Sequence, residues 1–182
     1  ICKHRRGTGG GCYVNVGQGP TQVFKSYLRG IYPESLSIAS NVCEGRNVRL
    51  GTYGDPAAVP AHIWAALLGK AAGHTGYTHQ WASGKANHVK EWCMASSDSL
   101  EERLSAVTEG WRTFRVRTPQ EKLGAGEFVC PASDEGGKRV HCESCLACNG
   151  GLNSRKGSPA IVAHGTLKGR FFAMQLIRSE EH

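Results

Sequence analysis

The sequence predicts a single α/β domain over residues 1–182: a mainly parallel sheet with flanking helices, built as an incomplete barrel or an open doubly wound sheet, with a cysteine-rich metal-binding insertion at 130–151. Three observations predict it. Short strand patterns alternate with helical patterns of about ten residues, the signature of βαβ units. The 182 residues, 40% of them hydrophobic, suffice for one core and leave little for a second. Half of the eight cysteines crowd into one polar stretch, CPASDEGGKRVHCESCLACNGG, from Cys130 to Gly151.

The elements follow in order. In TQVFKSYLRG, Val23, Phe24, Tyr27 and Leu28 fall at helical spacing and Gly30 stops the run. NVRLGTYGDP reads as a strand that breaks into a turn at Gly54-Asp55-Pro56. In PAHIWAALLGKAAG, Pro60 opens a helix, Ile63, Trp64, Leu67 and Leu68 share a face, and Gly73 closes it. HTGYTHQW and EWCMASSDS are strand patterns. SLEERLSAVTEG is a helix capped by Ser99 with Glu102 three residues on, and Leu100, Leu104 and Val107 are expected to form its buried stripe. WRTFRVR alternates Trp111, Thr113 and Arg115 against Arg112, Phe114 and Val116; AIVAHG is a further strand, and RFFAMQLI closes the structure. Five or six such units are too few for a closed eight-stranded barrel.

Each predicted strand ends in polar or ligand-type residues. In parallel α/β folds the working site lies beyond the carboxyl ends of the strands. Asp55, His79, Asp98, Arg115 and His164 are therefore the candidate catalytic residues on one rim, with Tyr53, Gln80, Ser97 and Arg117 beside them. The competing explanation is that loops, and hence strand ends, are simply polar.

The cysteines carry the sharper signal. Cys142, Cys145 and Cys148 form C-x2-C-x2-C, and Cys130, followed by Pro131, precedes them by eleven intervening residues. Two-residue gaps let consecutive sulfurs face one centre. Zinc sites pair one C-x2-C knuckle with a second knuckle or a histidine pair, whereas the tandem triplet with a Cys-Pro unit is the ligand chemistry of ferredoxin-type clusters. The order differs from ferredoxins, where Cys-Pro follows the triplet. The spacing thus favours a [4Fe-4S] cluster on Cys130, Cys142, Cys145 and Cys148, with zinc as the alternative cofactor and disulfides behind both. His141 can stand in for a sulfur. Cys2 and Cys12, around a glycine-rich turn, are candidate ligands of a second metal site. Cys93 reads as a small buried hydrophobe, and Cys43 is left unassigned.

Other motifs drop out. GTGGGC lacks the Lys-Ser/Thr of a P-loop and the acidic partner of a dinucleotide fold. The C-x3-C-x2-C run of radical S-adenosylmethionine enzymes is absent. No run of about eighteen apolar residues occurs, so no membrane partner is expected. The chain opens on Ile1 with no signal-peptide pattern, which predicts sequence upstream of it. The net charge of +7 is spread along the chain and suits either a solvated surface or a nucleic-acid partner.

The stretches CYVNVGQGP, RLGTYGDPAAVP, GYTHQW, MASSDS, GWRTFRVR and CPAS with the triplet together resemble a family of cysteine-rich, iron-sulfur-type proteins encoded by bacteriophages and prophages. The resemblance runs over nearly the whole chain. It implies expression in the reducing cytoplasm of a bacterial host, an iron-sulfur protein on an α/β scaffold, and a further cysteine pair upstream of KHRRG; it implies no catalytic assignment. The leading expectation is an iron-sulfur protein with redox or cluster-dependent enzymatic activity on a small-molecule substrate or redox partner. The alternative is a zinc-stabilised nucleic-acid-binding protein with Tyr53, Tyr77 and Trp81 as stacking surfaces. A third option is a structural metal staple on a domain that binds a host protein.

Overall fold

The computed structural model describes residues 16–151 and 157–180. Six strands make one sheet: β1 (Asn47–Leu50), β2 (Gly73–Thr78), β3 (Met94–Ser97), β4 (Thr113–Arg117), β5 (Glu127–Val129) and β6 (Ser158–Val162). Their order is β1-β2-β3-β4-β6-β5, and every neighbouring pair is parallel. The fold is α/β as expected, and the sheet is open, not closed into a barrel. The helices are α1 (Gly19–Leu28), α2 (Leu36–Cys43), α3 (Ala61–Leu68), α4 (Leu100–Thr108), a single turn α5 (Cys142–Cys145), and α6 (Lys168–Glu180).

Strand order decides what covers each face. From β1 to β4 the chain advances across the sheet in one direction. Crossovers between parallel strands are right-handed, so connections that advance one way lie on one face. Trp64 of α3 and Ala106 of α4 accordingly share a buried cluster with Leu50 of β1 and Ala95 of β3. The step from β5 to β6 runs the other way, because β6 slots between β4 and β5. The same handedness throws that connection, which begins at Cys130, onto the opposite face.

Two glycines record how closely it lies there. A Cβ at Gly73 would meet Leu146 Cδ1 at 2.5 Å. Gly150, at φ +66°, would drive a Cβ to 2.4 Å from the backbone nitrogen of Cys93, so only glycine fits. Between them the Cys148 carbonyl accepts from the Gly76 N–H at 3.0 Å, one rung of hydrogen bonding inserted at the strand edge.

Several expected faces turn out differently. Helix α4 is capped by Ser99, which accepts from the Glu102 N–H at 3.1 Å, but Glu102 reaches back to the Asp98 N–H at 2.8 Å rather than to Ser99. Its expected stripe of Leu100, Leu104 and Val107 is exposed, and Arg103 and Ala106 are buried instead. Ala106 lets the helix approach the sheet closely, while Arg103 reaches Glu127 at 3.2 Å. Val23, Phe24, Tyr27 and Leu28 of α1 are likewise exposed. Periodicity reports an apolar stripe; it does not supply a surface to cover it. Helix α3 stops at Leu68, five residues before the expected Gly73, which instead opens β2. RFFAMQLI lies in α6, with Phe171 buried and Leu176 exposed.

Candidate functional site

The four clustered thiols come from two places. Cys130 follows directly on β5, its N–H donating to the Ala160 carbonyl at 2.8 Å. Its own carbonyl accepts from the Ser133 N–H at 3.0 Å and the Ser133 hydroxyl at 2.6 Å, a turn that sends the chain back over the sheet. Cys142 and Cys145 sit three apart on the turn α5, hence on one side of it. Leu146 then takes a left-handed conformation, φ +49°, and redirects the chain so that Cys148 drops onto the sheet. The Asn47 amide donates to the Glu143 carbonyl at 2.7 Å and pins α5 against β1.

The thiols form a graded set: Cys130 and Cys148 are buried, Cys145 half-buried, Cys142 exposed. They also lie within one another's field. Burial pushes the Cys148 thiol up to about 12; a hydrogen bond from the Tyr77 hydroxyl opposes this, and the charges of Cys130, Cys142 and Cys145 add to it. Burial likewise raises Cys130, with Cys142 and Cys145 contributing. As the side chains stand, no three His, Cys, Asp or Glu groups among the described residues meet closely enough to grip one ion. The donor set is nonetheless all sulfur, which suits zinc or an iron-sulfur cluster over hard cations.

Arg112 holds the far end of this segment. Its Nη1 donates to Asn149 Oδ1 at 2.9 Å and to the Gly150 carbonyl at 2.6 Å, and its Nη2 to the carbonyls of Ala147 at 2.9 Å and Gly157 at 3.1 Å. All four acceptors are neutral oxygens, yet the residue is buried, and burial lowers its pKa against the opposing pull of Cys148. A buried cation without a carboxylate is costly unless another negative charge lies close by. In the sequence Arg112 alternates onto one face with Phe114 and Val116, which marks no role for it. Its only signal was a third arginine in an already arginine-rich strand.

The strand rim gathers part of its expected set. Asp55 caps the turn at Pro56: Oδ1 accepts from the Ala57 N–H at 3.0 Å and the Thr78 hydroxyl at 2.7 Å, and Oδ2 from the His79 N–H at 3.0 Å. It thereby clamps the loop after β1 to the end of β2. His79 Nε2 lies 3.8 Å from Asp98 Oδ1, with Asp98 2% and His79 26% exposed. The imidazole therefore faces the buried carboxylate at ion-pair distance, longer than a hydrogen bond.

Arg115 is elsewhere. It is fully buried in β4, donating to Glu127 (Nε at 2.9 Å, Nη2 at 2.8 Å), to Glu121 at 3.1 Å and to the Lys122 carbonyl at 2.8 Å. A guanidinium so occupied packs the sheet and offers nothing to a substrate. Arg117 pairs with Glu135 in the same layer. His164 is exposed beyond β6, away from the clamp residues, near the charge of Asp134.

The remaining cysteines divide. Cys93 is fully buried, and its thiol is pushed up to about 12 by burial and then by Asp55, as a small hydrophobe should be. It precedes β3 rather than lying in it. Cys43 ends α2, half-buried. Cys2 and Cys12 lie outside the described residues. Of the proposed stacking aromatics, Tyr53 is exposed, but Trp81 is buried and its indole donates to the Ser96 carbonyl at 2.8 Å. Tyr77 packs against Phe114 at 4.7 Å with its hydroxyl on Cys148. No helix among the described residues is long and apolar enough to cross a membrane. Comparison with protein-family models, curated proteins and solved structures finds no match.

Proposed function

We propose that the chain is an iron-sulfur protein that holds a [4Fe-4S] cluster on Cys130, Cys142, Cys145 and Cys148 and uses it in redox or cluster-dependent chemistry. One observation carries the reading. Cys130, Cys142 and Cys145 lie within electrostatic reach of Cys148, and Cys148 in turn acts on a buried arginine whose hydrogen bonds all go to neutral oxygens. Four thiolates bring a large negative charge into a partly buried site, and Arg112 is the cation placed to offset it. The Tyr77 hydroxyl donating to Cys148 is the kind of hydrogen bond to sulfur that sets a cluster's potential. The tandem C-x2-C-x2-C spacing favours the cluster over zinc.

Held by four cysteines, the cluster would supply one-electron transfer; Lewis-acid chemistry would need one iron without a cysteine. The chain's own groups exclude water on the Cys148 side, expose Cys142 to solvent and, at the rim, keep His79 facing Asp98. A reducing bacterial cytoplasm, which the phage resemblance implies, keeps such thiols available.

Anaerobic purification with a visible spectrum and analysis for iron, zinc and acid-labile sulfide tests the proposal. A brown protein with stoichiometric sulfide is expected, with Cys148→Ala losing colour and Cys93→Ala keeping it. A colourless, sulfide-free protein, or one in which zinc fills the four thiols, sinks it.

A further inference from the structure

Cys142 and Cys145 are the first and last residues of the turn α5. The turn is held by its own hydrogen bonds: the Cys145 and Ser144 N–H groups donate to the His141 carbonyl at 2.9 and 3.1 Å, and the Leu146 N–H donates to the Cys142 carbonyl at 3.2 Å. The Asn47 amide, on the Glu143 carbonyl, ties it to β1. One helical turn sets Cα atoms three residues apart at about 5 Å, within the span a disulfide bridges. Cys142 follows an extended His141, so no preceding helical turn restrains its backbone when the two sulfurs draw together. Closing a bond across so short and ordered a loop costs little chain entropy.

The other pairings are less well prepared. Cys145 and Cys148 have the same spacing in sequence, but Leu146, at φ +49°, ends the turn between them. Cys148 is then held on the sheet, its carbonyl on the Gly76 N–H and Gly150 close against the Cys93 nitrogen. Cys130 is buried just beyond β5. Thiol oxidation starts where an oxidant reaches sulfur. Of the four thiols Cys142 is the exposed one, and half-buried Cys145 shares its turn.

We infer that Cys142 and Cys145 are a reversible redox pair, oxidised by peroxide to a disulfide that takes two of the four clustered thiols out of use. The consequence for metal rests on the reading above; the pair itself does not. The Cys142 sulfur attacks one peroxide oxygen and the O–O bond breaks, leaving a sulfenic acid on Cys142 and releasing water. The Cys145 sulfur then attacks the Cys142 sulfur, the S–S bond forms, the S–O bond breaks and a second water leaves. The two thiols give up two electrons and two protons, and peroxide is reduced to two waters. A dithiol reverses the change by exchange through a mixed disulfide. Because the exposed pair reacts first, Cys130 and Cys148 stay reduced, and reduction of one bond restores the whole set.

The test exposes the metal-free chain to hydrogen peroxide, alkylates the remaining thiols and maps the tryptic peptides by mass spectrometry. The peptide holding Cys142, Cys145 and Cys148 is expected to be lighter by two hydrogens, with the alkyl group on Cys148, and dithiothreitol should restore three alkylated sites. In Cys145→Ser, dimedone should trap a sulfenic acid on Cys142. A disulfide to Cys148 or Cys130, over-oxidised Cys142 beside a free Cys145, or a change that dithiothreitol does not reverse overturns the proposal. Zinc, added without thiol reductant and read by competition with a chromophoric chelator, is the probe for the consequence: the reduced chain should bind it and the oxidised chain should not. Equal zinc binding by both forms overturns the switch. A reduced chain that takes up neither zinc nor iron and sulfide ends the metal reading, while the position of the disulfide still decides the pair.

Discussion

Arg112 and Arg115 stand three residues apart, both buried at or in β4, and are satisfied in opposite ways. Arg115 is neutralised: Glu127 and Glu121 supply two carboxylates, and Arg103 braces Glu127 from α4. Arg112 has four oxygens and no charge among them, with Cys148 near enough to act on it. The first arrangement is complete within the protein and has only structure to maintain. The second sets a buried cation against neutral oxygens, with the Cys148 thiol acting on it. The difference separates a part of the sheet whose buried charge is balanced by carboxylates from one where it is not.

Removing each cation breaks the comparison in a different direction. Arg115→Met takes the closest cation from buried Glu127, leaving it to Arg103 and the Gly124 N–H, and is expected to cost on the order of 3 kcal/mol in denaturant unfolding, with the folded fraction keeping its metal. The triple change Arg115→Met, Glu127→Leu, Arg103→Met removes the whole buried network and should recover much of that loss, whereas Glu127→Leu added alone should not, because buried Arg103 then loses its carboxylate. Arg112→Met should instead strip most of the metal, read by iron analysis, at a smaller cost in stability. If the two variants lose metal equally, the distinction fails.

Acid sharpens the contrast on the Arg115 side. Burial alone would raise Glu127, but the hydrogen bonds from Arg115 and the Gly124 N–H, with the charges of Arg115 and Arg103, hold it below 4.5. Its folded-state pKa being depressed, its contribution is fully present above the unfolded value and disappears as pH falls through the folded one. Stability measured from pH 7 downward should be flat with respect to this group until about the ordinary glutamate range and then decline. The decline should be shallower in the Arg115→Met, Glu127→Leu, Arg103→Met triple variant.

The smallest effect concerns thiol reactivity. In the metal-free chain at neutral pH, iodoacetamide should label Cys142 ahead of Cys130, Cys145 and Cys148 and leave Cys93 untouched in the native state, since burial holds the latter protonated up to about 12. Mass spectrometry of the digest reads the order. Labelling of Cys93 ahead of Cys142 would contradict the exposure gradient.

How far the sequence led depended on what kind of signal each region carried. Alternation of strand and helix patterns was enough for the parallel α/β class, and the Ser99 cap was legible because it is a local hydrogen bond. The buried side of α4 was not. Leu100, Leu104 and Val107 have the right period, but the choice between them and Ala106 is made by how closely the helix approaches β3 and β4, a tertiary fact. At the rim, Asp55, His79 and Asp98 were recognisable as strand-end residues and do meet. Arg115 carried the same positional signal and is occupied by Glu127, which lies in a strand that pairs two places away. The cysteine spacing singled out four thiols, Cys148 and three that lie within its electrostatic reach; the hold by Arg112 could not be read, because its acceptors are three backbone carbonyls and one side-chain amide, thirty-five or more residues downstream.

The slotting of β6 between β4 and β5 has a consequence for biogenesis. The floor on which Cys148 rests, β1 to β4, is synthesised first, and the sulfurs emerge next, before the strand that locks them in. Docking across so long a separation in sequence is among the slow events of folding. Nascent chains therefore pass through an interval in which the thiols have emerged but β6 has not yet taken its place beside β4, and their sulfurs are then open to oxidants.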